Sequence, residues 1–233
     1  MRIDRITTNE FEKAVTKSTL LILPIGATEA HGIHLPLGTD TFQAEQIADM
    51  ISKRKKNVIV APALPYGIHS SMKDVPGTIN ITFDTLRSVI YDILDSFIGH
   101  GISKIMIISG HAGSSHMAAV TEACRDLVSE YNVKIMFVSD FDIAAGNKEF
   151  CFDGDGHGGM IETSRMLAIA PDIVKNERPK GKYVHANGIV LRDASLCIPD
   201  GIVGDTKNAS AELGERMNNY IADTLISMWE GSK

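Results

Sequence analysis

TLLILPIGATEAHGIHLPLGTD, residues 19–40, decides the fold. Its first part, Thr19 to Gly26, is an unbroken apolar run, the pattern of a strand buried on both faces. Its second part sets Glu29, His31, His34 and Asp40 among glycines and a proline. Charge delivered by the end of a buried strand needs a partner, because burying it alone is costly. In an extended segment Glu29 and His31 are two apart and project to one face. The loop that follows can swing Asp40 back to them at the start of the next helix.

Working outward, further apolar or β-branched runs at 57–63 (NVIVAPA), 103–109 (SKIMIIS) and 133–139 (VKIMFVS) each end in a turn signal. Helical periods separate them. Ala44, Ile47, Ala48 and Ile51 form one stripe; Leu86, Val89, Ile90, Ile93, Leu94 and Phe97 form a second, stopped by Gly99 and Gly101; Val120, Cys124, Leu127 and Val128 form a third. Strand, helix, strand, helix is the α/β pattern, with a parallel sheet covered on both faces. Beyond residue 140 the pattern loosens into a Gly/Asp-rich stretch. A helix follows at about 159–169, then a polar segment from 172 to 206, then a helix near 207–229. With no linker, repeat or low-complexity tract, a single domain over 1–233 is expected.

Composition narrows the function. A net charge of −6, with 44% hydrophobic and 22% charged residues, is ordinary for a globular chain. Lys53-Arg54-Lys55-Lys56 is the one basic run, and it reads as a helix C-terminal turn suited to the dipole rather than a nucleic-acid footprint. The charged N-terminus has no apolar signal region and no run reaches the length of a membrane span, so a cytoplasmic protein with no membrane partner is expected. Cys124, Cys151 and Cys197 are odd in number and widely spaced, so they are read as small core hydrophobes.

The chemistry collects at the loops after the strands, where open α/β sheets bind ligands. Besides 26–40, these are SGHAGSSH at 109–116, with His111, and DGDGHGGMIETS at 153–164, with Asp153, Asp155, His157 and Glu162. Several imidazoles and carboxylates without a thiolate suit zinc, manganese or iron(II), and hence hydrolysis. Other readings stand beside this one. Glu29 and Asp40 could cap helices or form ion pairs, and His34 could pack the loop. The 110–116 loop could cradle phosphate at a helix N-terminus, which would make the chain a non-catalytic phosphate or nucleotide binder. His69 follows a strand beside Ser70 and Ser71 and could reach substrate, whereas His100, His116 and His185 read as solvent-facing or core residues. Met72, Met160 and Met166 read as packing.

The same residues carry a resemblance. G-A-T-E-x-H-G-x-H-L-P-L-G-T-D, then Tyr66-Gly67 leading to P-G-T-I ending at Ile79, then G-H-x-G at 110–113, then H-G-G-x-x-E-T-S-x-M-L at 157–167 resemble the creatininase family of metal-dependent amidohydrolases, in order and across about residues 20–170. The resemblance implies a three-layer α/β/α sandwich with a mainly parallel central sheet. It implies a hydrolase of carbon–nitrogen bonds in a small-molecule substrate, a cyclic amide or formamide, and a homo-oligomer, commonly a hexamer. Residue by residue it makes Glu29, His31, Asp40 and His111 ligands of one or two zinc, manganese or iron(II) ions, with Asp40 bridging. It makes His157 the proton shuttle and Glu162 the acid of the E-T-S motif. His69, Ser70, Ala112, Gly113 and Asp155 are candidate substrate contacts.

The departures from the family are informative. Creatinine hydrolases proper carry an aromatic residue and a second glutamate ligand after G-H, where this chain has Ala112 and Gly113. The second ion therefore loses a ligand unless Glu162 or water substitutes. The usual histidine between Y-G and P-G-T is Met72, with His69 nearby, and Asp153, Gly154 and Asp155 stand where an aromatic residue precedes the catalytic histidine. Creatinine itself is therefore not the expected substrate. A formamidopyrimidine nucleotide deformylase, a ring-opening hydrolase of a cyclic keto-polyol and a peptidase of a cofactor precursor are the alternatives within the family.

Overall fold

The apolar run from Thr19 to Gly26 contains strand β1, and all six of the strand's residues are buried. A computed structural model describes residues 1–232. In chain order the main elements are α1 (Thr8–Ala14), β1 (Leu20–Ile25), α2 (Thr39–Arg54), β2 (Val58–Val60), α3 (Phe83–Gly99), β3 (Lys104–Ser109), α4 (Ser114–Glu130), β4 (Lys134–Ser139), α5 (Asp140–Ala145) and α6 (Met160–Ile169). A two-residue antiparallel ladder, β5 (Lys180–Gly181) with β6 (Gly204–Asp205), and the long α7 (Ala211–Gly231) complete them.

The first four strands form one parallel sheet in the order β2-β1-β3-β4. Alternate side chains of β1 serve opposite layers, as the pleat requires. Leu20 and Ile22 join Ala44, Ile47 and Ile51 of α2 and Met217, Ile221 and Leu225 of α7 in one core. Leu21, Leu23 and Ile25 join Leu86, Ile90 and Leu94 of α3 and Val120 and Leu127 of α4 in the other. Burying each such aliphatic side chain contributes roughly 1.5–3 kcal/mol, so both layers hold the sheet. The fold is the expected α/β/α sandwich.

Differences from the expected elements have local causes. β2 stops at Val60 rather than continuing to 63. Pro24 of β1, whose carbonyl faces the β2 side to accept from Leu64, has no N–H to donate there, so the regular ladder lapses opposite it. α7 begins at Ala211, where the Ser210 hydroxyl accepts from the Leu213 N–H as its cap. Cys151 is exposed, whereas Cys124 and Cys197 are buried, so only two of the three cysteines are core residues. Among the described residues no helix is long and apolar enough to cross a membrane.

Candidate active site

β1 and β3 are neighbours, yet the helices that follow them go to opposite layers, α2 into the first core and α4 into the second. A crevice opens where such connections diverge. Glu29, His31 and Asp40 reach it from the β1–α2 connection and the first turn of α2, and His111 from the β3–α4 connection. His157 and Glu162 come from the approach to α6 and its first turn. A Cβ on Gly110 would overlap the Asp40 carbonyl, so a glycine there lets the end of β3 seat against α2.

The histidines share one arrangement. His31 Nδ1 donates to the Glu29 carbonyl at 2.9 Å, which leaves Nε2 2.9 Å from Asp40 Oδ1 and 3.6 Å from Glu162 Oε2. His111 Nε2 donates to the Ile68 carbonyl at 3.0 Å, and its Nδ1 stands 3.1 Å from both Glu29 Oε2 and Asp40 Oδ2. His157 Nε2 donates to the Ala30 carbonyl at 2.7 Å, with Nδ1 3.9 Å from Glu29 Oε2. A carbonyl only accepts, so each backbone contact fixes a tautomer and turns the other ring nitrogen toward the carboxylates. The Glu162 carboxylate receives the Gly158 N–H at 2.5 Å.

The electrostatics tie these imidazoles and carboxylates to one another. Burial pushes Glu29 and Asp40 up, but surrounding imidazoles, His111 for Glu29 and His31 for Asp40 above all, hold both carboxyls well below the usual range. Burial pushes His31 down, yet Asp40 and Glu162 raise it to about 10. His111 is likewise raised well above its ordinary value by Glu29 and Asp40 against its burial. The other two groups move in the opposite sense. Burial, reinforced by His31, lowers His157 to about 4, and burial raises Glu162 to about 7.

These donors fit a metal ion. Glu29 Oε2, His31 Nε2, Asp40 Oδ2 and both ring nitrogens of His69 are buried without a hydrogen-bond partner. Three sets of three donors lie within 4.8 Å of one another: Glu29, His31 and His157; Glu29, His69 and His111; and His31, Asp40 and Glu162. Ligands held at ~2.1 Å in a tetrahedron stand ~3.4 Å apart, close to the separations here.

A cleft of about 270 Å³ opens over the cluster. Ser70, Ala112 and Gly113 line it with Glu29, His111, His157 and Glu162, so these expected residues converge on one space. Asp155 does not. Its carboxylate accepts from the Met160 N–H at 2.5 Å and the Ile161 N–H at 3.1 Å and so caps α6. His34 is buried and spends Nε2 on Thr163 Oγ1 at 2.8 Å. His69, expected as a substrate contact, is sunk in the cluster with its ring fully buried, Nδ1 3.2 Å from Glu29 Oε1. His116 is also buried, packed edge-on against His111. Two lining residues escaped the sequence reading. Phe141 follows β4, so its place at the carboxyl edge was the available signal, whereas Ile198 comes from the segment 172–206, which offered none.

The family model described as "Creatininase: Creatinine amidohydrolase" matches residues 4–229. The chain belongs to the creatininase family. Creatininases are hydrolases acting on carbon–nitrogen bonds, and this chain is an amidohydrolase of that family. It is 28% identical to the creatinine amidohydrolase of Pseudomonas putida, with 91% of this chain and 90% of that protein covered. It is also 28% identical to the mycofactocin precursor peptide peptidase of Mycolicibacterium smegmatis, covering 91% and 85%. Among solved creatininases, one described as "Creatininase Mn" superposes with a TM-score of 0.84 at 23% identity, covering 97% of this chain and 96% of that one. A variant of Zn-Zn type gives 0.84 at 24% identity with the same coverage.

Proposed function

We propose that this member of the creatininase family is a metal-dependent hydrolase of a small polar amide, with Glu29, His31, Asp40 and His111 holding one or two divalent ions. The observation that carries the reading is the imidazole orientation: His31 and His111 each pin one nitrogen on a backbone carbonyl and turn the other onto buried carboxylates whose ion-pair partners are histidines rather than lysine or arginine. The solved relatives described as manganese and Zn-Zn forms support it. An oxygen and nitrogen donor set without thiolate suits zinc, manganese or iron(II). When bound, such an ion acidifies a water toward neutral pH and polarises an amide carbonyl.

The chain's own residues supply the rest. His157 is neutral at pH 7 because burial holds it at about 4, and its Nε2 bond to Ala30 leaves Nδ1 as the acceptor. It takes the proton of the attacking water and hands it to the leaving nitrogen. Glu162, raised to about 7 by burial, lines the same cleft and is placed either to hold a proton or to stand with His31 and Asp40 at an ion. The N-terminus of α4 follows Gly113 at the cleft, and the positive end of its dipole favours negative charge developing on the substrate carbonyl oxygen. Phe141 offers an apolar face and Ser70 and Ser71 offer hydroxyls, a lining suited to a small, partly polar molecule.

A second cleft favours one alternative. It shares Ser70 and Ser71 with the first and continues along Tyr183, Ile189, Val190 and Arg192, giving room for a peptide beyond the reacting amide. The decisive experiment is elemental analysis of the purified protein, followed by turnover of cyclic amides, formamides and short peptides with added Zn²⁺, Mn²⁺ or Fe²⁺. Metal and cyclic-amide or formamide turnover support the first reading. Turnover of peptides alone selects the second, and metal-free protein active on any of them overturns both.

A further inference from the structure

We infer that His69 is a metal ligand, completing with Glu29 and His111 a second donor set beside that of His31, Asp40 and Glu162. The inference rests on the metal-dependent reading of this site and extends it to a residue that the family motifs do not assign.

Three observations carry it. First, the His69 side chain is completely buried, and neither ring nitrogen has a hydrogen-bond partner. Leaving a buried donor or acceptor unsatisfied costs about 1–3 kcal/mol. Glu29 Oε1 lies 3.2 Å from Nδ1 but out of hydrogen-bonding alignment. A histidine kept only to orient Glu29 would donate to it squarely. Second, the backbone around His69 is built to present it. The His69 N–H is held by Asn80 Oδ1 at 2.7 Å, and the preceding carbonyl, that of Ile68, is the group that orients His111. The two rings come together with centroids 5.0 Å apart, and one donor atom from each, with one from Glu29, fits within 4.8 Å. Third, the G-H-x-G loop cannot supply the missing donor. Gly113 has no side chain, and a Cβ there would stand 2.5 Å from His111 Nε2. A side chain at that position would have to displace the His111 ring as it stands, and His69 provides a nitrogen ligand from the facing loop instead.

The resulting donor sets differ in character. Glu29, His69 and His111 give two nitrogens and one carboxylate, which suits zinc, whereas His31, Asp40 and Glu162 give one nitrogen and two carboxylates, a harder set. The second Asp40 oxygen, 3.1 Å from His111 Nδ1, links the two sets.

The test is metal stoichiometry, read independently of turnover. The apoprotein is reloaded with Zn²⁺, freed of excess and analysed by plasma mass spectrometry, alongside His69→Ala and His69→Leu with circular dichroism as the check on folding. Two ions in the wild type and one in the folded variants are expected. One ion in the wild type, or two in both proteins, overturns the role of His69 while leaving the metal-dependent reading intact. No ion in the wild type overturns both. If the variants misfold or lose both ions, zinc anomalous scattering from wild-type crystals decides. Density within ~2.0–2.1 Å of a His69 nitrogen upholds the inference, and its absence there refutes it.

Discussion

His31 Nε2 stands 2.9 Å from Asp40 Oδ1, although His31 comes from the middle of the loop joining β1 to α2 and Asp40 from the first turn of α2. Both are buried, and Asp40 faces His111 with its other oxygen. A carboxylate so placed is costly to keep without a cation, so Asp40→Ala is expected to lose tightly bound metal that the wild type retains through gel filtration. Equal metal in the two proteins, measured by elemental analysis, would refute the assignment.

The contact also marks what the sequence could disclose. The β1 run, the three later strands and the stripes of α2, α3 and α4 were legible because burial on both faces of a parallel sheet leaves continuous apolar strands between 3.6-residue periods. The meeting of Glu29, His31, Asp40, His111, His157 and Glu162 followed from their places after strand ends. Other features depend on three-dimensional choices that spacing does not encode. Asp155 sits in the right loop yet points its carboxylate at the α6 N–H groups, and His69 turns inward rather than toward the open cleft. Ile198 reaches the site through a segment held by the short β5–β6 ladder, not by any periodic pattern.

A buried ion pair outside the candidate donor sets gives a stability test. Arg165 of α6 is fully buried, donating to Asp140 Oδ2 at 2.6 Å and to Asn218 Oδ1 at 2.9 Å. Removing one partner strands the other charge, so Asp140→Ala is expected to lower unfolding stability by about 3–5 kcal/mol. The double change Asp140→Leu with Arg165→Met, which removes both charges, should cost much less. Urea denaturation of the three proteins compares them, and an equal loss in single and double variants would show that packing, not charge, governs the site.

The thiols make a pH prediction. Burial pushes the Cys124 thiol up to about 12 from an ordinary value of 9.0. Above pH 9 the unfolded chain has released this proton while the folded one keeps it, so this residue's contribution to stability falls as pH rises from about 9 to about 12. Cys124→Ala should flatten that slope in urea titrations. At pH 8 an aromatic disulfide reagent should modify one thiol rapidly in the folded protein, Cys151, and three after unfolding.

Assembly is expected from the surface as well as the family. Tyr183, Val184, Ile189, Val190 and Leu196 are all exposed apolar residues of one segment, Val190 at 96%. Such clustering is characteristic of interaction surfaces. Light scattering is expected to give a multiple of the chain mass, a hexamer by family resemblance, and Ile189→Asp with Val190→Asp should lower it. A wild-type monomer at micromolar concentrations would remove this expectation.

The last prediction separates proton transfer from metal holding. His157 is fixed through Nε2 on the Ala30 carbonyl, while its Nδ1 lies 3.9 Å from Glu29 Oε2, farther from the carboxylates than the nearest donor nitrogens of His31 and His111. A ring positioned this way can reach substrate without being needed to hold an ion. His157→Asn should therefore keep the fold and its metal, yet lower turnover of the amide identified by screening roughly 10²- to 10⁴-fold, the range for loss of a general acid or base. Substrate affinity should change little. If the variant empties the site of metal, His157 belongs with Glu29 and His31 as a ligand, and Glu162, raised to about 7 and lining the same cleft, becomes the proton carrier. Full activity in the variant would instead remove His157 from the mechanism altogether.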